Sequence, residues 1–317
     1  MIDLFSGAGL FGYAFEQEGF KLVRAVEKEA AAGRTHHANL GARLDVADVA
    51  SVVPEGRCDI LIAGPPCQGF STLGKRRTND PRNWLCMHVV TWARSLGPSV
   101  VVVENVVPFV DSAPAKELRS GLRSLGYTVE VLVLNALNYG VAQHRVRAFT
   151  IASMSGGLAA PLPADEVRTV RDAIQDLPGS PSGENDHVAP IPTPLALSRM
   201  RLVPPGGGKH DILREAPHLA PPSWHRSRTE ITDVWGRLRW DEPANTLRTC
   251  LLNPSKGRYI HPCQDRVISL REAARLHSIP DSWTFRGTPY QVARQIGNSV
   301  PPLLGRAVAR QAKALVN

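Results

Sequence analysis

Six short apolar runs mark the first half of the chain: "IDLFSG", "KLVRAVE", "DILIAG", "SVVVVENV", "VEVLVLNA" and "AFTIAS". They are short and rich in β-branched residues, the pattern of strands buried on both faces. Between several of them the period lengthens. "LFGYAFEQEG" and "AKELRSGLRSLG" gather their apolar residues on one side of a helix. This alternation predicts an α/β fold, a doubly wound and mostly parallel sheet with helices on both faces. Ligands of such sheets gather at the carboxyl ends of the strands.

The pattern changes after Gly156. Residues 161–262 hold 15 of the 26 prolines, a density that disfavours long helices and central strands. A second, smaller, loop-rich domain is expected there. Residues 195–262 carry 11 Lys and Arg against 6 Asp and Glu, and include Trp224, Trp235 and Trp240. A basic, aromatic, irregular segment suits nucleic-acid contact; the competing reading is a solvated insertion. Over residues 263–317 helical spacing returns, in "SLREAARLHS" and "PPLLGRAVARQAKALV".

Composition narrows the class. The formal charge of +8 favours polyanionic partners. No run of 18 apolar residues indicates a membrane span, and "MIDLFSGAG" lacks the regions of a signal peptide, so a cytoplasmic protein is expected. The five cysteines are odd in number and form no CxxC pair. Reduced thiols are therefore expected, rather than a disulfide framework or a metal site.

Candidate chemistry falls at the strand ends. In "DLFSGAGLFG", Gly7 and Gly9 let the backbone turn and approach a ligand between the first strand and the first helix. Glu27 ends the second strand, where an acid can accept from ribose hydroxyls. Asp45 ends a third short segment and could accept from an adenine amine. Either acid alone reads as solvated; together, beside the glycine turn, they point to a nucleoside-type cofactor. Cys67 follows the fourth strand in "DILIAGPPC", behind two prolines that stiffen the backbone. It is a candidate nucleophile or an inert buried thiol. Glu104 and Asn105 follow four valines, and a carboxyl in that setting is poorly solvated and suited to holding a proton. Arg145 and Arg147 in "QHRVR" would share one side of an extended segment and could meet a base edge or phosphate.

In their order and spacing, "DLFSGAG", "GPPCQGFS", "ENV", "QHRVR", "REAARLHSIPD" and "QIGNSVPP" resemble the DNA cytosine-5 methyltransferases of prokaryotic restriction-modification systems. The resemblance spans nearly the whole chain outside the middle of 161–262, and "PPGGGKHDI" and "RLRWDEPANTL" look like the target-recognition region of bacterial members. It implies a class I S-adenosylmethionine-dependent fold. Residues 1–160 would form the catalytic and cofactor-binding domain, 161–262 the target-recognition domain, and 263–317 a segment returning to the catalytic domain. It further implies methyl transfer from S-adenosylmethionine, leaving S-adenosylhomocysteine, to carbon-5 of a cytosine flipped out of duplex DNA.

On this resemblance Cys67 adds to carbon-6, Glu104 serves ring nitrogen 3 and the exocyclic amine, Arg145 supports the carbonyl oxygen and Arg147 orders the site. Phe5, Gly7 and Gly9 line the cofactor, Glu27 holds its ribose, and Asp45 with Val46 cradles its adenine. Gly64, Pro66, Leu85, Asn298 and Ser299 complete that pocket. Gln68, Ser71, Lys75, Arg76 and Arg77 would form a loop over DNA. No metal is implied. The chain begins directly at the first strand, which favours a prokaryotic or phage enzyme acting as a monomer, with a cognate restriction endonuclease as a further partner. Two departures stand out: Lys28 follows Glu27 where many relatives carry an aromatic, and His277 and Ser278 occupy positions where Gln and Gly are common. Two rival readings remain. One is an RNA cytosine-5 methyltransferase of the same fold, whose typical run is "PPCQPFT" rather than "PPCQGFS". The other is a catalytically silent DNA-binding paralogue.

Overall fold

In the computed structural model, which describes residues 1–66, 80–157, 159–226 and 233–316, the apolar runs become a seven-stranded sheet. Its strands are β1 (Ile2–Leu4), β2 (Arg24–Glu27), β3 (Arg43–Val46), β4 (Ile60–Ala63), β5 (Val100–Asn105), β6 (Thr128–Asn135) and β7 (Val146–Ser153). The order across the sheet is β3-β2-β1-β4-β5-β7-β6. β1 to β5 pair in parallel, and β7 runs antiparallel to both β5 and β6. The mostly parallel α/β sheet expected from the apolar runs is therefore present. β1, β4 and β5 are buried along their whole length, so both faces need cover. The helices nearest them in sequence are α1 (Leu10–Glu16), α2 (Ala30–Asn39), α3 (Met87–Leu96) and α4 (Ala113–Ser124). Leu4, Leu61, Val101 and Val103 form one core with Val89 and Trp92 of α3 and Leu118 and Leu122 of α4.

This sheet belongs to one compact unit, made of Met1–Tyr139, Val146–Asp165 and Ser299–Asn317; Gly140–Arg145 and Glu166–Asn298 make a second. Residues 263–298 thus cluster with the second unit, and the last segment with the first. Helices of the second unit are short: α5 (Val170–Ile174), α6 (Pro194–Arg201), α7 (Lys209–Glu215), α8 (Pro222–Arg226), α9 (Leu270–Leu276) and α10 (Pro289–Asn298). Among its described residues, strand pairing is confined to isolated bridges such as Arg237 with Ile260. Irregular backbone leaves carbonyls without ladder partners, and buried ones must find donors elsewhere. Arg237 supplies them. Its Nε donates to Val203 O at 2.7 Å, Nη1 to His261 O at 2.9 Å and Gln264 O at 2.6 Å, and Nη2 to Met200 O at 2.8 Å and Asp265 Oδ1 at 2.6 Å.

α11 (Pro302–Lys313) returns the chain to the first unit and packs on α1. Arg306 and Arg310 donate to the Glu18 carboxylate at 2.7 and 3.0 Å, and Lys313 Nζ donates to Glu18 O at 2.8 Å. Close approach depends on Gly305, where a Cβ would stand 2.6 Å from Ala14 Cβ. Asp3 is sealed beneath α1, with its Oδ2 3.1 Å from where a Cβ on Gly12 would lie. Burial first, then the Glu27 carboxylate, push the Asp3 pKa well above its ordinary 3.8, while the Gly12 N–H pulls the other way.

A carboxyl whose folded pKa is raised stabilises the fold below its unfolded pKa and loses that contribution as pH rises through the folded value. Asp3→Asn keeps an acceptor for Gly12 and removes the charge. The variant should melt higher than wild type at pH 8, by roughly 2–4 °C for each kcal/mol recovered, and the gain should vanish near pH 4. Calorimetric scans at both pH values test this; a lower midpoint at pH 8 would show that the buried charge is compensated.

Candidate active site

β1 leaves the sheet through Phe5, whose φ of 58° lies in a region that a bulky residue enters at a cost. The turn continues through Gly7 at 56° and Gly9 at 91°, and Gly9 opens α1. Glu27 fastens this loop. Its Oε2 accepts from Gly7 N and its Oε1 from Glu29 N, each at 2.7 Å. Burial raises the pKa of Glu27, and these two backbone bonds lower it. A cofactor ribose would therefore meet a carboxylate whose orientation is already set.

At the end of β3, Val46 is 55 % exposed, an apolar surface at the carboxyl edge. Asp45 is engaged within the protein: Oδ2 accepts from Arg24 Nε at 2.6 Å, and Oδ1 lies 3.3 Å from Arg43 Nε. Lys28 pairs with Asp48 at 2.9 Å. Leu85 is half-buried in a 3-10 turn over Pro81–Cys86. Asn298 ends α10 in the second unit and Ser299 starts the last segment of the first, so the boundary between units falls inside "GNSVPP".

Gly64 joins the two halves of the site. It follows β4 and donates to Leu4 O at 3.2 Å. A Cβ at Gly64 would stand 3.9 Å from both Phe5 O and Glu104 Oε2, so the cofactor loop and the acid of β5 meet at this residue. Asn105 ties the next residue down, donating from Nδ2 to Pro65 O at 3.3 Å and accepting from Val106 N at 2.8 Å. Sequence reasoning assigned Asn105 no role; its position next to Glu104 at the strand end was the available signal. The described chain stops at Pro66. Cys67, Gln68, Ser71, Lys75, Arg76 and Arg77 lie outside the described residues.

Glu104 is buried, as four preceding valines suggest, and faces Arg147 of β7 across 3.0 Å from Nε to Oε1. Arg147 supplies the counter-charge that a buried carboxylate requires. Arg145 is used differently. It lies in the second unit, 1 % exposed, and donates from Nη1 to Leu247 O at 3.0 Å and from Nη2 to Gly297 O at 2.8 Å. This revises the expectation of two arginines projecting alike. β7 begins at Val146, so the two-residue period of a strand does not extend back to Arg145.

Two of the other thiols are poorly placed for chemistry. Burial pushes Cys58 up to about 11 and Cys86 up to about 12. Among the described residues no group of three His, Cys, Asp or Glu is arranged for a metal, and no helix is long and apolar enough to cross a membrane. The second unit contains a polar cavity of about 190 Å³, lined by Asp233, Asn245, Thr246, Arg248, Arg258 and Tyr259 among others. Burial pushes the Tyr259 hydroxyl up to about 12.

The family described as C-5 cytosine-specific DNA methylase matches residues 1–314. The chain is 36% identical to the type II methyltransferase M.XorII of Xanthomonas oryzae pv. oryzae, over 98% of this chain and 83% of that protein. It is 34% identical to M1.HphI of Haemophilus parahaemolyticus, over 97% and 85%, and 29% identical to M.AgeI of Thalassovita gelatinovora, over 100% and 99%. Among solved structures, a prophage-encoded E. coli chain assigned as a DNA modification methyltransferase matches at TM-score 0.71 and 25% identity, over 100% of this chain and 99% of that one. The Entamoeba histolytica methyltransferase EhMeth matches at TM-score 0.70 and 15% identity, over 97% and 95%, a likeness of fold.

The two arginines should separate in experiment. Arg147→Ala should lower kcat for methyl transfer on the order of 10²-fold, the usual cost of one polar group acting at a reacting centre. Arg145→Ala leaves carbonyls of Leu247 and Gly297 without their donor and should lower the melting temperature first. Turnover and scanning calorimetry on both variants test the assignment, and the opposite pattern would reverse it.

Proposed function

The chain belongs to the C-5 cytosine-specific DNA methylase family, a DNA cytosine-5 methyltransferase using S-adenosylmethionine, and on that footing we propose how its residues carry the reaction. The observation that carries the reading is the pair of buried Glu104 with Arg147, beside Gly64 on the turn that leads into Cys67. The residues around Phe5 fit the cofactor. An open glycine turn, an oriented Glu27 carboxylate and the exposed Val46 side chain line one edge of the sheet. Gly7 adds room, since a Cβ there would meet nothing within 4 Å. Phe5, Gly7, Gly9, Glu27, Asp45, Val46, Gly64, Pro66, Leu85, Asn298 and Ser299 would hold the cofactor, which supplies an electrophilic methyl group when bound.

Cytosine is a poor nucleophile at carbon-5, and covalent addition divides the difficulty. The Cys67 thiolate adds to carbon-6 of the flipped base. Glu104, holding a proton, donates it to ring nitrogen 3 while its other oxygen accepts from the exocyclic amine, and so draws charge out of the ring. Arg147 holds Glu104 in place and would support the base carbonyl in the role first expected of Arg145, whose guanidinium donates to the Leu247 and Gly297 carbonyls. Electron density gathers at carbon-5, which gains the methyl group. A base then removes the carbon-5 proton, the carbon–sulfur bond breaks and Cys67 leaves as thiolate. The high values of Cys58 and Cys86 support giving this work to Cys67.

The second unit would read the DNA sequence. Its support is the basic, tryptophan-bearing segment and the polar cavity at Tyr259 and Thr246. Gln68, Ser71, Lys75, Arg76 and Arg77 would close over the duplex. On this reading the protein works in the cytoplasm as a monomer, beside a restriction endonuclease that cleaves the same sequence, as the type II names of its relatives suggest.

The covalent step has a direct test. Fluorine at carbon-5 cannot leave as a cation, so duplex DNA carrying 5-fluorocytosine at the target should trap the protein after methylation. The adduct should survive denaturing electrophoresis, require S-adenosylmethionine and map to the peptide containing Cys67. Cys67→Ser should form none and should keep its DNA binding. An adduct on another cysteine would overturn the site, and methylation without an adduct would overturn the mechanism. Transfer RNA methylated in preference to duplex DNA would favour the RNA-directed reading.

A further inference from the structure

Arg24 is an unexpected residue for a buried strand. It opens β2, is 6 % exposed, and stacks its guanidinium 5.1 Å from the Trp92 ring centroid. An apolar side chain would fill this place without the cost of desolvating a charge, and a buried ion pair is weak support for stability. Its contacts point to another use. In the register of β2 and β3, Arg24 lies opposite Arg43, and Asp45 lies opposite Val26. The Arg24 side chain therefore reaches two residues along the sheet, toward its carboxyl edge, to place Nε 2.6 Å from Asp45 Oδ2. Nη1 donates onward to Val53 O at 3.2 Å and Glu55 O at 3.3 Å, which ties down the chain after β3. The Asp45 side chain remains 20 % exposed, and among the described residues its Oδ1 faces the longer contact to Arg43, a side chain 59 % exposed.

We propose that Arg24 is a positioning residue for the cofactor's purine. It occupies one oxygen of Asp45 and turns the other outward, as an acceptor for the exocyclic amine of adenine. This rests on the reading of Asp45 as the adenine acceptor. A carboxylate oxygen held in this way accepts from an amine and repels a carbonyl oxygen at the same position. Arg24 would thereby set the discrimination between an aminopurine and an oxopurine cofactor.

The test compares the dissociation constants of S-adenosylhomocysteine and S-inosylhomocysteine, in which a carbonyl replaces the amine, by titration calorimetry. Wild type should prefer the adenine compound by about 10-fold or more, the worth of one charge-assisted hydrogen bond. Arg24→Met keeps an apolar stem on Trp92 and frees Asp45 to rotate. It should reduce the preference to about 2-fold, mainly by weakening the adenine compound. A purely structural role would weaken both ligands alike or lower only the melting temperature, and an unchanged preference in folded Arg24→Met overturns the proposal. Should that variant fail to fold, Arg24→Lys, which keeps the charge without the Nε donor, is read in the same way. Asp45→Asn tests the underlying reading separately. If wild type shows no preference, or if Asp45→Asn keeps it, the adenine role of Asp45 falls and the proposal falls with it. If Asp45→Asn loses the preference and both Arg24 variants keep it, only the proposal falls.

Discussion

Burial of the central strands on both faces is the constraint on which the rest depends. β1, β4 and the valines of β5 have no solvated side, so nearly every polar group of the central strands must wait until a strand ends. Asp3 is the exception, and its raised pKa shows the cost of breaking the rule. The strand ends supply Glu27, Asp45, Glu104 and Asn105, and the turns after them supply Phe5 to Gly9 and Gly64 to Pro66. Because the strands run parallel, these endings lie along a single edge. Reactive groups far apart in sequence are neighbours because the core excludes them from anywhere else.

Three arginines, two of them buried and Arg147 half-buried, then do three kinds of work with the same planar fork. Arg147 is the counter-charge of the buried Glu104. Arg237 replaces a missing hydrogen-bond ladder, gathering four carbonyls and a carboxylate in a unit that proline keeps from forming sheets. Arg24 spans two strands to hold Asp45. None is a surface ion pair of the kind that contributes little, and each leaves unpaired acceptors behind if removed.

Much of this was legible in the residue pattern. Runs such as "DILIA" and "SVVVV" can be little else than buried strands, and the motifs at their ends put Gly7, Glu27, Gly64 and Glu104 at the carboxyl edge of the sheet. Side-chain pairing was less legible. The bond from Arg24 to Asp45 depends on the register between two strands, which no local period encodes. Arg145 and Arg147 invited a shared role because they stand two apart, yet the strand starts between them. Ser278 shows a subtler case: it occupies a position where relatives often carry glycine, and its φ of 59° shows the backbone demand that glycine meets more easily.

The docking of α11 on α1 has a bearing on how the protein is made. The bond from Arg306 to Glu18 closes a span of 288 residues. During synthesis α1 must wait for nearly the whole chain before its apolar face is covered, whereas the second unit is complete in sequence by Asn298. Such long-range closure is slow and leaves apolar surface exposed meanwhile. A nascent chain interrupted before Ser299 would carry every element of the second unit and an unfinished first unit. Its bare α1 face is the kind of surface that chaperones and proteases recognise.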